Sequence, residues 1–291
     1  MASGETFTSA LADSLNTMVA EARQVREFQG GATQLVERHT LSEGTGLSWR
    51  EISMAKLTAQ KVPETSRLNN PQQLSDSVLS ITPQVVGIQT TISDRVVSRV
   101  SKVTWAQVGS LRQNALNRLA DQDTLAVFDG ATTSIPGAGS TLVSGNIQAM
   151  AIRISGNTTE PGPDPIRAVL HSFQTHDLTT ELTAGVGTYP TPDGISADVF
   201  KNRFRGKIGG AEVFQDDNIT IDSNNDAHGG VFSQAAILCI FGRSPYTKTK
   251  DEPDLGGGAT SIYLYNEYAH GERSAGNWLY RCLSDASVPT G

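Results

Sequence analysis

Between Thr104 and Gly130 the apolar residues fall at Trp105, Val108, Leu111, Ala115 and Leu119, and again at Ala126. Steps of three and four place them on one helical face. Arg112, Asn114, Asn117, Arg118 and Asp121 lie largely off it. Thr104 and Gln107 fit a capping box, and Asp129-Gly130 supplies the stop. The spacing predicts a helix of roughly 24 residues, about 36 Å long, twice the usual globular helix of about 11–12 residues. It reads as a strut whose core face is Trp105, Val108, Leu111, Ala115 and Leu119.

Other stretches carry other periods. Leu11, Leu15, Met18, Val19, Ala22 and Val25 share a face of a helix over 8–28, stopped by Gly30-Gly31. This helix packs on its own domain or lies as an arm on a neighbouring subunit. Residues 39–76 are polar and broken by Gly44, Gly46, Pro63 and Pro71, with weak alternation around Leu47, Trp49, Glu51 and Ser53. So long a stretch with so little apolar content predicts a projecting two-stranded loop. An isolated hairpin is marginal in water, so the loop needs a partner surface. Trp49, Met54 and Leu57 are its candidate anchors. Residues 77–93 alternate with branched side chains and predict a strand.

After Gly130 the pattern predicts a short helix or strand at 145–154, a strand at IRAVLH and a helix at SFQTHDLTTELTA. A short helix capped by Ser196 follows, then a strand passage bent at the glycine pair of KIGGAEVF. QAAILCIFG reads as a buried strand, and TSIYLYNEYAHGERSAGNWLYRCLSD as a closing antiparallel hairpin. No internal repeat is visible. The fold class is α+β.

Composition changes this picture in one way. The 291 residues are 37% hydrophobic and 18% charged, with Gly 28 and Pro 12. The chain is long enough for a core but poor in apolar content, so neighbouring subunits are expected to bury what it cannot. The net charge of −7 and the lack of a basic tract exclude nucleic-acid binding driven by counterion release. Cys239 and Cys282 lack CxxC spacing, which argues against a zinc site and a disulfide framework; Cys239, in AAILCIF, reads as a buried thiol. The first 15 residues do not read as a signal peptide, and no apolar run reaches the length of a membrane span. The expectation is a soluble protein made in a reducing cytosol.

Candidate chemistry is sparse. His171 and His176 are five apart, which turns the rings away from one another on a helix. His176-Asp177 has no GxSxG nucleophile near it. Asp222, Asn224 and Asp226 begin like a calcium loop, but Ala227 replaces the required glycine and Ser233 the required glutamate. The clusters around Gly137, Gly139 and Gly256–Gly258 form no phosphate loop. Asp216-Asp217 and Asp251-Glu252 lie in loops without an apolar pocket. The expectation is no enzyme, no cofactor and no metal.

The order arm, extended loop, strand and long helix resembles the major capsid proteins of tailed bacteriophages, those with the Hong Kong 97-like fold. IRAVLHSFQTHDLTTEL, KIGGAEVFQDDNI, GGVFSQAAI and YNEYAHGERSAGNW are also similar to segments of that family. The resemblance implies an N-terminal arm at 1–40, an extended loop at 41–77, a peripheral domain at 78–138 with its spine helix at 104–129, an axial domain at 139–258 and a return to the peripheral domain at 259–291. It implies self-assembly into pentamers and hexamers of an icosahedral head around double-stranded DNA contacted non-specifically. It also implies a separate scaffolding protein, a portal, a cement or decoration protein, and no membrane. The location implied is the virion, after assembly in the bacterial host cytoplasm. Lys56 and Lys61 lie where cross-linking members carry a lysine, but nothing local identifies a partner. The alternatives are an encapsulin-like nanocompartment shell, a virion decoration or tail protein, and an enzyme with a dispersed site.

Overall fold

The computed structural model describes residues 28, 30–44, 46–64, 67, 71–99, 102–184, 206–255, 257–274 and 276–289. The helices expected over 8–28 and after Ser196 lie outside the described residues, apart from Phe28.

The first sheet holds β1 (Glu37–Thr40), β9 (Ile237–Glu252), β10 (Ala259–Glu272) and β4 (Gln84–Ser93), in the order β1-β9-β10-β4. Strand β1 runs parallel to β9, and β10 pairs antiparallel with both β9 and β4. Strands β9 and β10 form one long hairpin, with irregular pairing between Tyr265 and Tyr268. The boundary expected at residue 258 therefore falls inside a hairpin.

The second sheet has the order β11-β8-β5-β7-β6. Its strands are β5 (Ile166–Leu170), β6 (Lys207–Ile208), β7 (Ala211–Gln215), β8 (Asp226–Ser233) and β11 (Leu279–Asp285). Gly209 and Gly210 link β6 to β7 with φ of 55° and 95°. Two successive positive φ values make a tight hairpin turn, which is why two glycines stand there. The closing segment is not the hairpin expected from its alternation, since β10 belongs to the first sheet and β11 pairs with β8 in the second. The chain changes sheets across Arg273–Trp278.

The 77–93 stretch also divides. Strand β3 (Asp76–Ile81) pairs with β2 (Trp49–Met54), while β4 joins the first sheet. Thr82-Pro83 separates them, and proline lacks the N–H that a continuous ladder requires.

Among the described residues five α-helices join the sheets: α1 (Ala32–Leu35), α2 (Asp94–Arg99), α3 (Lys102–Ala126), α4 (Ser144–Ser155) and α5 (Ser172–Ala184). Helix α4 buries Ile147, Met150, Ala151 and Ile154, spaced three, one and three apart, in a cluster with Ile166, Ala168, Leu170, Val213 and Val231 of the second sheet. Helix α5 places Gln174 in the same interior. Its Nε2 donates to Ser284 Oγ at 2.7 Å and to the carbonyls of Ala227 and Cys282. A second cluster joins the two sheets through Leu125, Phe128, Phe232, Ile237, Cys239, Trp278 and Leu279. The rings of Phe128 and Phe232 meet at 5.3 Å. Cys239 and Cys282 are free and buried, and burial pushes both thiols up to about 12. They are packing residues rather than nucleophiles.

Candidate assembly surfaces

The β2–β3 hairpin has two unlike faces. On the inward face Trp49 pairs with Ile81, and Glu51 with Leu79. On the outward face Ile52 lies directly opposite Val78, and Met54 opposite Asp76. Ile52, Met54, Leu57, Leu74 and Val78 are all more than half exposed, Met54 at 77%. A cross-strand apolar pair stabilises a sheet only when something covers it. The hairpin is otherwise held by polar contacts: Ser53 Oγ with Ser77 Oγ at 2.7 Å, Ala55 N–H to Ser75 O, and Thr58 N–H to Gln72 Oε1 at 2.8 Å.

The base of the hairpin is fastened to the first sheet. Trp49 packs with Leu41, Leu79 and Ala269 around Ile81, Leu238 and Ile240. Its indole stacks on His39 at 4.7 Å. Arg273 Nη1 donates to Glu37 Oε2 at 2.6 Å and to Ala235 O at 2.8 Å. Its Nη2 donates to Glu51 Oε2 at 3.0 Å, and its Nε lies 2.8 Å from Glu51 Oε1. One guanidinium thus ties β1, β2 and the end of β10 together through charge-assisted hydrogen bonds to two carboxylates. The hydrogen bond from Arg273 holds the Glu37 carboxyl below its ordinary range, outweighing partial burial.

Of the three expected anchors, Met54 and Leu57 are exposed, while Trp49 is committed to the sheet of its own subunit. The correction has a local cause. Ile81 and His39 flank Trp49 and form a slot for a flat ring at the foot of the hairpin.

Helix α3 needs a similar correction. Its buried side chains are Leu116, Ala120, Asp121, Thr124 and Leu125, followed by Phe128 in the next turn. Leu111 and Leu119 are each 39% exposed, Val108 and Ala115 are half-buried, and the side chain of Trp105 lies outside the described residues. The inward face is rotated because polar partners line it. Asp123 accepts the Tyr268 hydroxyl at 2.7 Å, and Thr124 Oγ1 meets His270 Nε2 at 2.9 Å and Thr33 Oγ1 at 3.1 Å. Burial pushes His270 down to about 4, so its ring is neutral at pH 7 and serves as a hydrogen-bonding partner. With these partners in place, Thr124 is buried with its hydroxyl satisfied, on a face that the apolar spacing did not mark.

The remaining candidate chemistry is used structurally. His171 is buried, and its Nδ1 accepts the Phe173 N–H, whereas His176 is exposed. Asp222 Oδ1 accepts the N–H groups of Asn224 and Asp226 within its own turn, which supports Asn225 at φ 65°. Asp217 accepts the Ser172 N–H at the start of α5. Among the described residues no group of three or more histidine, cysteine, aspartate or glutamate side chains has the geometry of a metal site, and no helix is long and apolar enough to cross a membrane.

No family model matches the chain, and no curated protein sequence matches it. Solved structures do. The capsid structure of cyanophage P-SCSP1u matches with a TM-score of 0.71 at 10% identity, over 94% of this chain and 93% of that one. Mycobacterium phage Che8 matches with 0.69 at 14%, over 94% and 99%. The capsid of Ralstonia phage GP4 matches with 0.67 at 12%, over 95% and 98%. The architecture is that of phage capsid subunits. This chain has the α+β, Hong Kong 97-like fold.

Proposed function

We propose that this chain is the major capsid protein of a tailed phage, which self-assembles as pentamers and hexamers into the icosahedral head around double-stranded DNA. The observation that carries the reading is the two-way coverage: almost all of this chain matches almost all of a phage capsid subunit. The exposed apolar hairpin supports it, because the subunit presents a surface that only another molecule can bury.

In this reading residues 1–40 are the arm and 41–77 the extended loop, whose outward face lies on an adjacent copy. Helix α3 with the first sheet is the peripheral domain, and the second sheet with α4 and α5 is the axial domain. Closed assemblies repeat one heterologous contact around each axis, which suits a single projecting loop and a single receiving surface. The role is structural, without a catalytic centre or cofactor. The location is the virion, after assembly in the bacterial host cytoplasm. Portal, scaffolding and decoration proteins are the expected partners, and the acidic chain holds DNA without gripping it.

Sedimentation and negative-stain microscopy of the purified protein test the reading. Closed shells are expected. A monomer or dimer that persists across salt and protein concentration, and with a co-expressed scaffold, overturns it, and shells that enclose a cargo protein instead of DNA transfer it to the encapsulin class.

A further inference from the structure

The N-terminal segment enters the described fold at Gly30–Ala32, and two carboxyl groups meet it there. Asp121, on α3, accepts the Ala32 N–H through Oδ1 at 2.8 Å and the Asn218 side-chain amide through Oδ2 at 2.9 Å. Asp216, just after β7, accepts the Gly31 N–H through Oδ2 at 3.1 Å and the Asn218 N–H through Oδ1 at 3.0 Å. Asp121 is 2% exposed and Asp216 4%. The fit leaves no room for a larger residue, since a Cβ on Gly30 would lie 1.7 Å from Asp121 Oδ2. Two acidic groups are therefore buried together, one from each domain, with the chain entering between them.

Their surroundings do not neutralise two charges. Among the described residues neither carboxylate is ion-paired with a lysine or arginine. The other titratable groups nearby are Asp217 and His171, at the start of α5. Burial depresses the His171 ring below its ordinary value, so it supplies little positive charge near neutrality. Along α3, Asp123 accepts the Tyr268 hydroxyl, and Thr124 contacts His270, which burial keeps neutral at pH 7, so neither supplies positive charge. Like carboxylates in a dry site cannot both ionise cheaply, and one proton shared between them removes the repulsion. Burial, and then the charge of Asp216, push Asp121 up to about 7.

We propose that the Asp121–Asp216 pair is a protonation-controlled latch on the root of the N-terminal segment. One proton between the two carboxyls holds residues 30–32 against α3 and the second sheet, and losing it loosens them. The sign follows from the direction of the shift. A carboxyl raised above its ordinary 3.8 stabilises the closed form fully below that value, and the contribution is lost as pH rises to about 7. The latch is therefore tightest in acid, weakens as pH rises toward neutrality, and has lost its proton above about pH 7.

Hydrogen exchange of the free full-length subunit tests this, read as protection factors corrected for intrinsic exchange, on peptides covering residues 28–36. Protection in the unmodified protein is expected to fall about tenfold between about pH 6 and about pH 8, the dependence of one proton per opening. Asp121→Asn cannot ionise, and its protection should be flat over that window; Asp216→Asn should flatten it likewise, and serves if the first variant does not fold. A flat profile in the unmodified protein, or the same slope retained in a folded variant, overturns the proposal. The readout concerns the free subunit, so failure to form shells leaves it unaffected.

Discussion

The second sheet with its helices and the β2–β3 hairpin solve opposite problems with the same chain. Around the second sheet, Ile147, Met150, Ile154, Leu170, Leu178 and Val231 are buried to within a few per cent, and even the polar Gln174 is spent on internal hydrogen bonds. The hairpin shows the reverse, with Ile52, Met54, Leu57, Leu74 and Val78 in solvent and its cross-strand polar contacts exposed as well. The first region buries its own apolar side chains. The second leaves its outward face uncovered, and the clasp of Arg273, Glu37, Glu51 and Trp49 fastens its base to the first sheet. The chain's modest apolar fraction is thus unevenly distributed, buried around the second sheet and exposed on the outward face of the hairpin.

Breaking the folded half should have the largest effect. Phe232→Ala removes a ring that is wholly buried against Phe128, and such truncations cost about 3–5 kcal/mol. Denaturant melting of the free subunit should shift by that much or soluble protein should be lost. On α3, Leu116→Asp should cost several kcal/mol as a buried unpaired charge, whereas Leu111→Asp should stay within about 1 kcal/mol because the side chain is 39% exposed. Equal losses in the two aspartate variants would show that the inward face is not the one running through Leu116, Ala120 and Thr124.

That contrast also shows where the sequence was legible. Local periodicity was enough for β5, α5 and the long helix, whereas the glycine pair expected to bend one strand instead reverses the chain between β6 and β7. It did not place segments relative to one another. The alternation of 259–285 is real, yet β10 and β11 separate into two sheets, a matter of long-range pairing that no local pattern encodes. The face of α3 was misjudged for a related reason. Asp121 and Thr124 look like solvent residues until Ala32, Thr33 and His270 arrive from elsewhere to satisfy them. Trp49 was assigned to a neighbour because its slot is built by His39, Ile81 and Leu238, none adjacent to it in sequence. Polarity between 39 and 76 did reveal a segment that does not bury itself.

The clasp should come next in size. Arg273→Ala leaves Glu37 and Glu51 half-buried without their cation and releases the hairpin base. Charge-assisted hydrogen bonds of this kind are worth about 1.5–3 kcal/mol. Hydrogen exchange should show deprotection of 49–54 and 76–81, with the second sheet unchanged. Unaltered hairpin protection would mean that Trp49 alone fastens it. The outward face should matter least to the subunit and most to its assembly. Met54→Ser and Ile52→Ser should leave melting within about 0.5 kcal/mol while reducing shell yield. Normal shells from the double variant would remove the hairpin from the interface.

The subtlest expected effect is a difference in pH response between the clasp and the root of the N-terminal segment. Glu37 is held below its ordinary 4.5, chiefly by the hydrogen bond from Arg273. A depressed carboxyl contributes stability that is complete above its unfolded value and is lost as pH falls through the folded one. The clasp should therefore be intact at neutral pH and loosen below about pH 4.5, and salt should weaken it further because the groups are partly exposed. Asp121 is shifted the other way, so the segment it holds should be tightest in mild acid. Protection of 49–54 and of 28–36, followed in one exchange series on the free subunit, should fall at opposite ends of the range. Glu37→Gln keeps the shape of the side chain without its charge and should abolish the acid-side loss in the hairpin alone. If both segments lose protection together at low pH, the subunit is unfolding as a whole, and the clasp is not a separate element.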